Sequence, residues 1–262
     1  YIFDDGEQRL IGGASRWWLH HALQSLDQSL QGKLNIFNGN PLQILSRLVE
    51  ENQTAGVYWN RCYDAQSIAR DGLIKSTLKD AGLQVKSFNG SLLWEPWQVL
   101  KNDGTHYKVF TPYYRRGCLQ QPAPRRPLPA PEKMQLLKLD NSLAIDALSL
   151  LTEINWHKKM EGHWDISEQG AMDRLDKFIF NGIQDYRDGR NFPDKENVSR
   201  LSPYLHFGQL SVNTAWHTAR DAEPVIGNEK SLDTFLSELG WREFSYYLLY
   251  HYPQLPTENL QP

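Results

Sequence analysis

The chain has 262 residues, of which 40% are hydrophobic and 23% charged, and its formal net charge is −3 at pH 7. This composition excludes a disordered chain and a uniformly basic nucleic-acid binder, although a local basic patch would be enough for phosphate contacts. No apolar run approaches the roughly 20 residues that span a bilayer, and two cysteines favour neither a disulfide framework nor a metal cluster. We expect two modest domains, no membrane segment, no metal and a reducing cytoplasm as the location.

The first ninety residues alternate between short apolar runs and amphipathic stretches. The runs that predict strands are "YIF" at 1–3, closed by a turn at Asp4, Asp5 and Gly6, then "LNIF" at 34–37, "GVYW" at 56–59 and "LQVKSF" at 83–88. Between them, apolar residues recur at helical spacing from Leu19 to Leu30, Asn40 precedes Pro41 as an N-cap, and Asp64 caps a further helix. Strands separated by helices of this length predict an α/β domain with a parallel, Rossmann-like sheet.

From 91 to 131 the periodic pattern stops and prolines accumulate, which predicts a long connection between domains. A solvated linker is the simpler interpretation of its four arginines, and a phosphate-binding arm is the alternative. Beyond 132 the pattern is helical, with helices predicted from Ser167 to near Gly189, around Val212–Ala219, and from Ser231 to about Tyr252. The predicted organisation is therefore an α/β domain over 1–90, a linker over 91–131 and an all-helical domain over 132–262.

The stretch "SRLS" at 199–202 stands directly before a predicted helix. Helix starts attract anions, and here Ser199 and Ser202 add hydroxyl donors while Arg200 adds a bidentate phosphate ligand. Ser202 as an N-cap with Pro203 in the first turn explains the same residues without any ligand. From this stretch alone, the capped helix is the simpler interpretation.

Two further stretches allow both a structural and a functional interpretation. In "SELGWREF" at 237–244, Glu238, Trp241 and Arg242 share one helix face, where they could bond and stack a nucleobase or form an exposed ion pair beside a core Trp. In "DYRDGRNFP" at 185–193, Tyr186 and Arg190 lie four residues apart at a helix end, where an Arg also favours the helix dipole. No metal-ligand spacing and no nucleophile–base arrangement emerges.

Taken in order, these stretches resemble the DNA photolyase and cryptochrome family. The resemblance rests on "GAMDRLDKFIFNGIQDYRDGRNFP", "SRLSPYLHFGQLS" and "SELGWREF", and upstream on "YIFDD", "NRCYDAQSIARD" and "YKVFTPYYRR", so that it covers 1 to about 252. The last two upstream motifs resemble the family's α/β antenna domain. The resemblance is strongest to class I cyclobutane pyrimidine dimer photolyases. It implies an antenna domain followed by a helical FAD-binding domain.

By motif position, the resemblance implies seven contacts to FAD and four to damaged DNA. The residues expected to hold FAD are Tyr186, Val198, Ser199, Arg200, Leu201, Ser202 and Phe235; those expected to meet DNA and the lesion are Arg190, Glu238, Trp241 and Arg242. Val198 stands where the family usually has Thr, which removes one hydroxyl but leaves the backbone donors. Trp241 would stack against a flipped pyrimidine dimer and Glu238 would bond its edge.

The implied reaction is light-driven repair of UV-damaged DNA, in which excited, reduced FAD lends an electron to split the cyclobutane ring. No side chain is then needed as acid, base or nucleophile. The resemblance also implies a monomer and a possible antenna chromophore, a folate or a deazaflavin, without assigning its residues. Because family members are nearly twice as long, we expect this chain to be a fragment that lacks the first strand and the later flavin-ring contacts.

Two alternatives stay open at this point. A cryptochrome would bind FAD and signal in blue light without repairing DNA. A helical interaction module would keep the fold but hold no flavin.

Overall fold

The structure is a computed structural model that describes residues 1–3 and 11–260. These residues form two compact units, each assembled from three separate stretches of chain. Unit 1 comprises Tyr1–Gly56, Pro129–Arg174 and Leu201–Leu210, and unit 2 comprises Val57–Leu128, Leu175–Arg200 and the chain from Ser211 onward. The predicted domain limits at 90 and 131 are a different division, and they stay a prediction.

In the described chain, strands occur only up to Phe88, where they alternate with helices, and the remainder contains helices and loops. The strands are β1 Ile2–Phe3, β2 Phe37–Asn38, β3 Gly56–Asn60 and β4 Gln84–Phe88. The α-helices are α1 Gly13–Ser29, α2 Pro41–Asn52, α3 Ala65–Asp80, α4 Phe110–Pro112, α5 Lys158–Glu161, α6 Glu168–Lys177, α7 Tyr186–Gly189, α8 Ser202–Phe207, α9 Val212–Asp221, α10 Glu223–Ile226 and α11 Glu229–His251. Turns of 3-10 or π helix cover Pro96–Gln98, Tyr113–Gly117, Cys118–Gln120, Ile145–Leu148, Asn155–His157, Phe178–Gly182 and Ile183–Asp185. None of the helices in the described chain is both long and apolar enough to cross a membrane.

In unit 1, β1 and β2 pair in parallel, with Ile2 opposite Phe37, which confirms the predicted parallel pairing. The run "LNIF" is a strand only at its end. The backbone N–H of Leu34 donates to Asp27 Oδ1 at 3.0 Å and that of Ile36 donates to Ser142 Oγ at 3.0 Å, so neither N–H takes part in strand pairing. The predicted turn at Asp4, Asp5 and Gly6 lies outside the described residues. The core of this unit is formed by Leu19, Leu23, Leu34, Ile36, Leu148 and Leu150.

Two helix starts are built as their cap residues predict. The Asn40 side chain accepts a hydrogen bond from the backbone N–H of Gln43 at 3.1 Å, and α2 then begins at Pro41 in unit 1. In unit 2, the Asp64 carboxylate accepts one from the N–H of Ser67 at 2.9 Å at the start of α3. Each cap satisfies an amide that the first helical turn leaves without an intrahelical partner.

In unit 2, β3 pairs with β4. The segment after β4, predicted as a solvated linker over 91–131, is partly buried. The Trp94 ring meets the Trp216 ring edge-on at 5.4 Å, and the Tyr113 ring lies 5.0 Å from Phe244 and 4.6 Å from Tyr247. The expectation of solvation was wrong for this first part, because aromatic residues between the prolines supply a buried surface. The exposed parts include the loop 101–105 and the proline-rich end, from 125 to 131.

The helical pattern predicted beyond 132 is confirmed from Glu168 onward, whereas 132–167 contains only helical turns of three or four residues. The Ser167 hydroxyl accepts the N–H of Gly170 at 2.9 Å before α6, and helical turns continue to Gly189 as predicted. The long final helix, α11, contains the span that the sequence predicted from Ser231. It supplies most of the side chains of the candidate site.

Candidate functional site

The Trp241 ring lies on α11 in unit 2, 45% exposed to solvent and resting on another ring. Its centroid is 3.7 Å from that of Phe110, at an interplanar angle of 12°. Phe110 is in turn stacked on Tyr114, at 5.5 Å and 9°. The three rings form a stack in which one face of the indole is supported by protein, an arrangement that suits binding of a further flat ring system.

One turn before Trp241, Glu238 forms an ion pair with Arg190. The hydrogen bond to Glu238 raises the pKa of Arg190, so the guanidinium stays charged. The same guanidinium lies 5.8 Å over the Tyr186 ring. The structure therefore brings together Arg190, Glu238 and Trp241, three of the four residues expected to meet DNA.

Arg242, the fourth of these residues, does not pair with Glu238, although the helix spacing of the two residues allows an ion pair. Glu238 pairs with Arg190 instead. The Arg242 Nη1 donates to the carbonyl of Ser91 at 2.6 Å and to Glu243 Oε1 at 3.2 Å, and its guanidinium lies 4.9 Å over the Tyr246 ring. These contacts tie Arg242 to the protein itself. Its contact with DNA stays a prediction.

The neighbouring Glu243 is a buried carboxylate that the sequence reasoning missed. Its Oε2 accepts the backbone N–H of Leu93 at 2.7 Å and, more weakly, that of Trp94 at 3.4 Å. Burial raises the pKa of Glu243 to about 7, against the opposing effect of Arg242 and the two N–H groups. Glu243 follows Leu239 by four residues and precedes Tyr247 by four, so a carboxylate on an apolar helix face was the available signal.

Gly240 is required by the close approach of Tyr114 to α11. A Cβ at position 240 would lie 2.6 Å from the Tyr114 ring, well inside van der Waals contact. The ring stack under Trp241 therefore depends on a glycine immediately before that tryptophan. A glycine within an otherwise strong helical pattern is the sequence signal for such an approach.

A cleft of about 850 Å³ opens beside this stack and contains both Trp241 and the Arg190–Glu238 pair; we call it the Trp241 cleft. It is rich in charge, but its charges are largely compensated. Arg115 forms a bidentate pair with Asp233 at 2.7 and 2.5 Å, and Arg220 lies 3.6 Å from Glu223. The exposed indole is thus framed by fixed ion pairs.

The residues expected to hold FAD are divided between the two units. Tyr186 and Phe235 lie together in unit 2, with centroids 5.7 Å apart, and both pack edge-on or tilted against Phe178. Phe235 is only 2% exposed, so its side chain is a core residue in this structure. Its contact with the flavin stays a prediction.

Of the five remaining FAD candidates, four are exposed or half-buried and one is buried. In unit 2, Val198 and Arg200 are exposed and Ser199 is half-buried, and Arg200 has a left-handed backbone with φ of 54°. In unit 1, Leu201 is buried and Ser202 is exposed. Hydroxyl and guanidinium donors at an accessible turn fit an anionic diphosphate chemically.

The capping interpretation of Ser202 was wrong. The residue is the first of α8 and Leu201 holds the N-cap position, where no side chain caps the helix. Ser202 therefore lies in the first helical turn without a capping hydrogen bond.

These features belong to a known family. A sequence profile described as DNA photolyase matches residues 1–132, and the deoxyribodipyrimidine photo-lyase of Agrobacterium fabrum is 37% identical over 254 residues, which are 95% of this chain and 53% of the relative. The chain belongs to the DNA photolyase family, which confirms the resemblance and the fold class, a parallel-sheet part followed by a helical part.

Two further relatives place the chain within that family. The crystal structure of a bacterial class III photolyase from Agrobacterium tumefaciens superposes with a TM-score of 0.92 at 36% identity, covering 99% of this chain and 54% of that one. Cryptochrome-1 of Arabidopsis thaliana is 32% identical over 257 residues, 92% of this chain and 37% of the relative. The chain spans about half the length of the curated photolyases it matches. Assignment to class I stays a prediction, since this solved relative is of class III.

Proposed function

We propose that the protein is a deoxyribodipyrimidine photo-lyase that splits cyclobutane pyrimidine dimers in UV-damaged DNA with light and reduced FAD. The observation that carries this proposal is the half-exposed Trp241 ring, supported from one side by Phe110 and flanked by Glu238 and Arg190. A pure flavin photoreceptor has no need for an exposed indole framed by a carboxylate and a guanidinium.

Lesion binding follows from elementary energetics. A dimerised pyrimidine pairs and stacks poorly, so that turning it out of the duplex costs less than turning out an intact base, as is general for photolyases and other enzymes that flip bases. Trp241 offers a stacking surface, a type of contact that contributes about 1–3 kcal/mol per base. Glu238 supplies hydrogen-bond acceptors for the base edge, and Arg190 holds that carboxylate in place.

FAD is proposed to be held by Tyr186, Val198, Ser199, Arg200, Leu201, Ser202 and Phe235. The accessible donors at 199 and 200 support a contact with the diphosphate, and Tyr186 forms part of an ordered aromatic cluster. When bound and reduced, FAD would supply, under blue light, the electron that opens the cyclobutane ring and then takes it back. The residues of this chain bind and orient the partners, and no side chain is required to transfer a proton.

The proposal is tested by a repair assay on the full-length protein, reconstituted with FAD and reduced. The substrate is an oligonucleotide with one cyclobutane dimer, incubated with the protein under blue light or in the dark. We expect loss of the dimer only in the light. Dimer-specific binding without any repair would contradict the enzyme assignment, and absence of flavin absorbance after reconstitution would contradict the cofactor.

A cryptochrome-type photoreceptor is the second candidate, supported by the identity to Cryptochrome-1 over most of the chain. It would bind FAD and respond to light, yet leave dimers intact. The same assay separates the two, since flavin photoreduction without repair is the expected result for a cryptochrome.

The other expectations also stay proposals. We propose a cytoplasmic monomer with the domain limits predicted from the sequence, and a possible second chromophore, a folate or a deazaflavin, whose site is unassigned. An absorbance spectrum of the full-length protein would report both chromophores together.

A further inference from the structure

A second cleft of unit 2, with a volume of about 1010 Å³, has no part in the site described above. It is lined by the loop 101–109 together with Pro112, Arg116 and Tyr252. We call it the basic cleft because three cations, Lys101, Lys108 and Arg116, face it.

The charge of the basic cleft is compensated only in part, by an electrostatic interaction between Asp103 and Lys101. Lys101, Lys108 and Arg116 are all exposed, and none of them forms an ion pair with any carboxylate among residues 1–3 and 11–260. The one acidic residue of the lining, Asp103, accepts hydrogen bonds from the Thr105 N–H at 2.9 Å and its hydroxyl at 2.6 Å. The lining thus carries a clear excess of positive charge in a chain whose net charge is −3.

The two lysines are held over aromatic rings. The Lys101 ammonium lies 6.0 Å from the centre of the Tyr107 ring, and the Lys108 ammonium lies 5.4 Å from that of Tyr252. Such cation–π contacts orient an ammonium group without neutralising its charge. The cations are therefore positioned yet available to an anion.

The excess of positive charge is specific to the basic cleft, as a comparison with the Trp241 cleft shows. Arg115 and Arg116 are neighbours in sequence, but Arg115 is paired with Asp233 in the Trp241 cleft whereas Arg116 faces the basic cleft without such a partner in the described chain. The link between the clefts is short, because Val109 lines the basic cleft and Phe110, the next residue, stacks on Trp241. A strand whose lesion rests on Trp241 would leave that site beside the basic cleft.

We propose that the basic cleft binds the phosphodiester backbone of the DNA that flanks the lesion, on one side only. The inference rests on the proposed function, since Trp241 fixes where the lesion lies. Positioned lysines and arginines that face solvent bind phosphates by releasing condensed counterions, which adds affinity that does not depend on base sequence. The basic cleft would thus strengthen binding without contributing to recognition of the dimer.

The test is the triple variant Lys101→Gln, Lys108→Gln and Arg116→Gln in the full-length protein. Its affinity for a dimer-containing duplex is measured between about 50 and 200 mM salt, a range over which proteins with several phosphate contacts lose orders of magnitude in affinity. We expect the slope of log K against log salt to decrease in magnitude by up to ~2.7, that is ~0.9 for each of three contacts. The ratio of affinities for damaged and undamaged duplex should stay within about twofold of the parent, because Trp241 is untouched.

The matched control is Arg47→Gln, Lys79→Gln and Lys86→Gln, which removes the same charge from exposed residues outside both clefts. A slope change no larger than that of this control would overturn the proposal. Duplexes shortened from the 5′ or the 3′ side of the dimer add a second criterion. Parent and triple variant should converge when one particular flank is removed, and equal sensitivity to both flanks would also count against the basic cleft.

The single variant Arg116→Gln keeps the test decisive if the triple variant does not fold. It should lower the slope by ~0.9, and Arg116→Lys should restore it. Failure of the proposed function gives a different result. Without dimer preference or repair, the slope on undamaged duplex still reports whether these three cations contact phosphates.

Discussion

The exposed and the buried face of α11 differ in what holds them and in what they can do. Glu238 and Trp241 are reachable from solvent and carry groups that bind nucleobases, whereas Gly240 and Glu243 are buried and bind only the protein itself. The exposed face carries the chemistry and the buried face fixes its position. Substitutions on the buried face should therefore change mainly the free energy of unfolding, and substitutions on the exposed face should change mainly the affinity for DNA.

The largest effect is expected for Glu243→Ala in the full-length protein. It leaves the backbone N–H groups of Leu93 and Trp94 without an acceptor and Arg242 without its carboxylate partner. Breaking a buried pair in this way lowers the free energy of unfolding by about 3–5 kcal/mol. Urea unfolding followed by tryptophan fluorescence measures it, and a loss below about 1 kcal/mol would show that the buried face does not hold the helix.

The same residue predicts a dependence of stability on pH. Burial raises the pKa of Glu243 to about 7 from 4.5, so between these values the folded state binds more protons than the unfolded state. This contribution is complete below pH 4.5 and is lost as the pH rises to about 7, in total about 3 kcal/mol. Glu243→Gln cannot titrate and should flatten the dependence. Parent and variant with parallel stability curves from pH 4.5 to 7 would refute it.

Gly240→Ala should act on stability with a smaller effect. The added methyl would overlap the buried Tyr114 ring, and such overpacking costs about 1–3 kcal/mol in free energy of unfolding. Gly72, on α3 with open space around its Cβ position, provides the control, since Ala there should stabilise the helix slightly. Equal effects at both positions would mean that the ring can move aside.

Much of this molecule could be predicted from local sequence signals. Asn40 and Asp64 predict the starts of their helices because an N-cap side chain accepts a hydrogen bond from the amide three residues later. The helix α11 is predicted by the spacing of its apolar residues. The exposed residues of the site were found because their order along the chain matches a family. Both kinds of signal depend on residues close together or on a known motif.

The missing part depends on contacts between distant segments. The sequence pattern assigns Phe110 and Tyr114 to a linker or an antenna motif. In the structure they pack against α11, about 130 residues later, and no local periodicity contains this pairing. Helix spacing predicts that Arg242 lies beside Glu238, yet its guanidinium donates to the carbonyl of Ser91 instead. Local spacing states which residues share a face, and only the partner surface decides what they touch.

Trp241→Ala tests the binding role of the exposed face. We expect affinity for dimer-containing DNA to fall by about 1–3 kcal/mol, the range for base–aromatic stacking. The free energy of unfolding should fall by a smaller amount, about 0.5–1.5 kcal/mol, because the ring contact with Phe110 is lost. Trp97 is the matched control, an equally exposed tryptophan at 43% that lies outside the Trp241 cleft. Equal affinity of Trp241→Ala and the parent for damaged DNA would remove the stacking role.

Phe110 packs under the exposed Trp241 ring, and Phe110→Leu should give the smallest change in affinity for damaged DNA. Leucine keeps most of the apolar volume but loses the parallel ring contact that supports Trp241, a type of contact worth about 0.5–1.5 kcal/mol. If Phe110 positions the indole, affinity for damaged DNA falls by up to that amount while affinity for undamaged DNA does not change, and Phe110→Tyr restores the difference. Equal losses on both DNAs, with a matching loss in unfolding free energy, would instead make Phe110 an ordinary packing residue. A positioning role requires that only the affinity for damaged DNA changes, because only a lesion bound against the indole depends on the orientation of that ring.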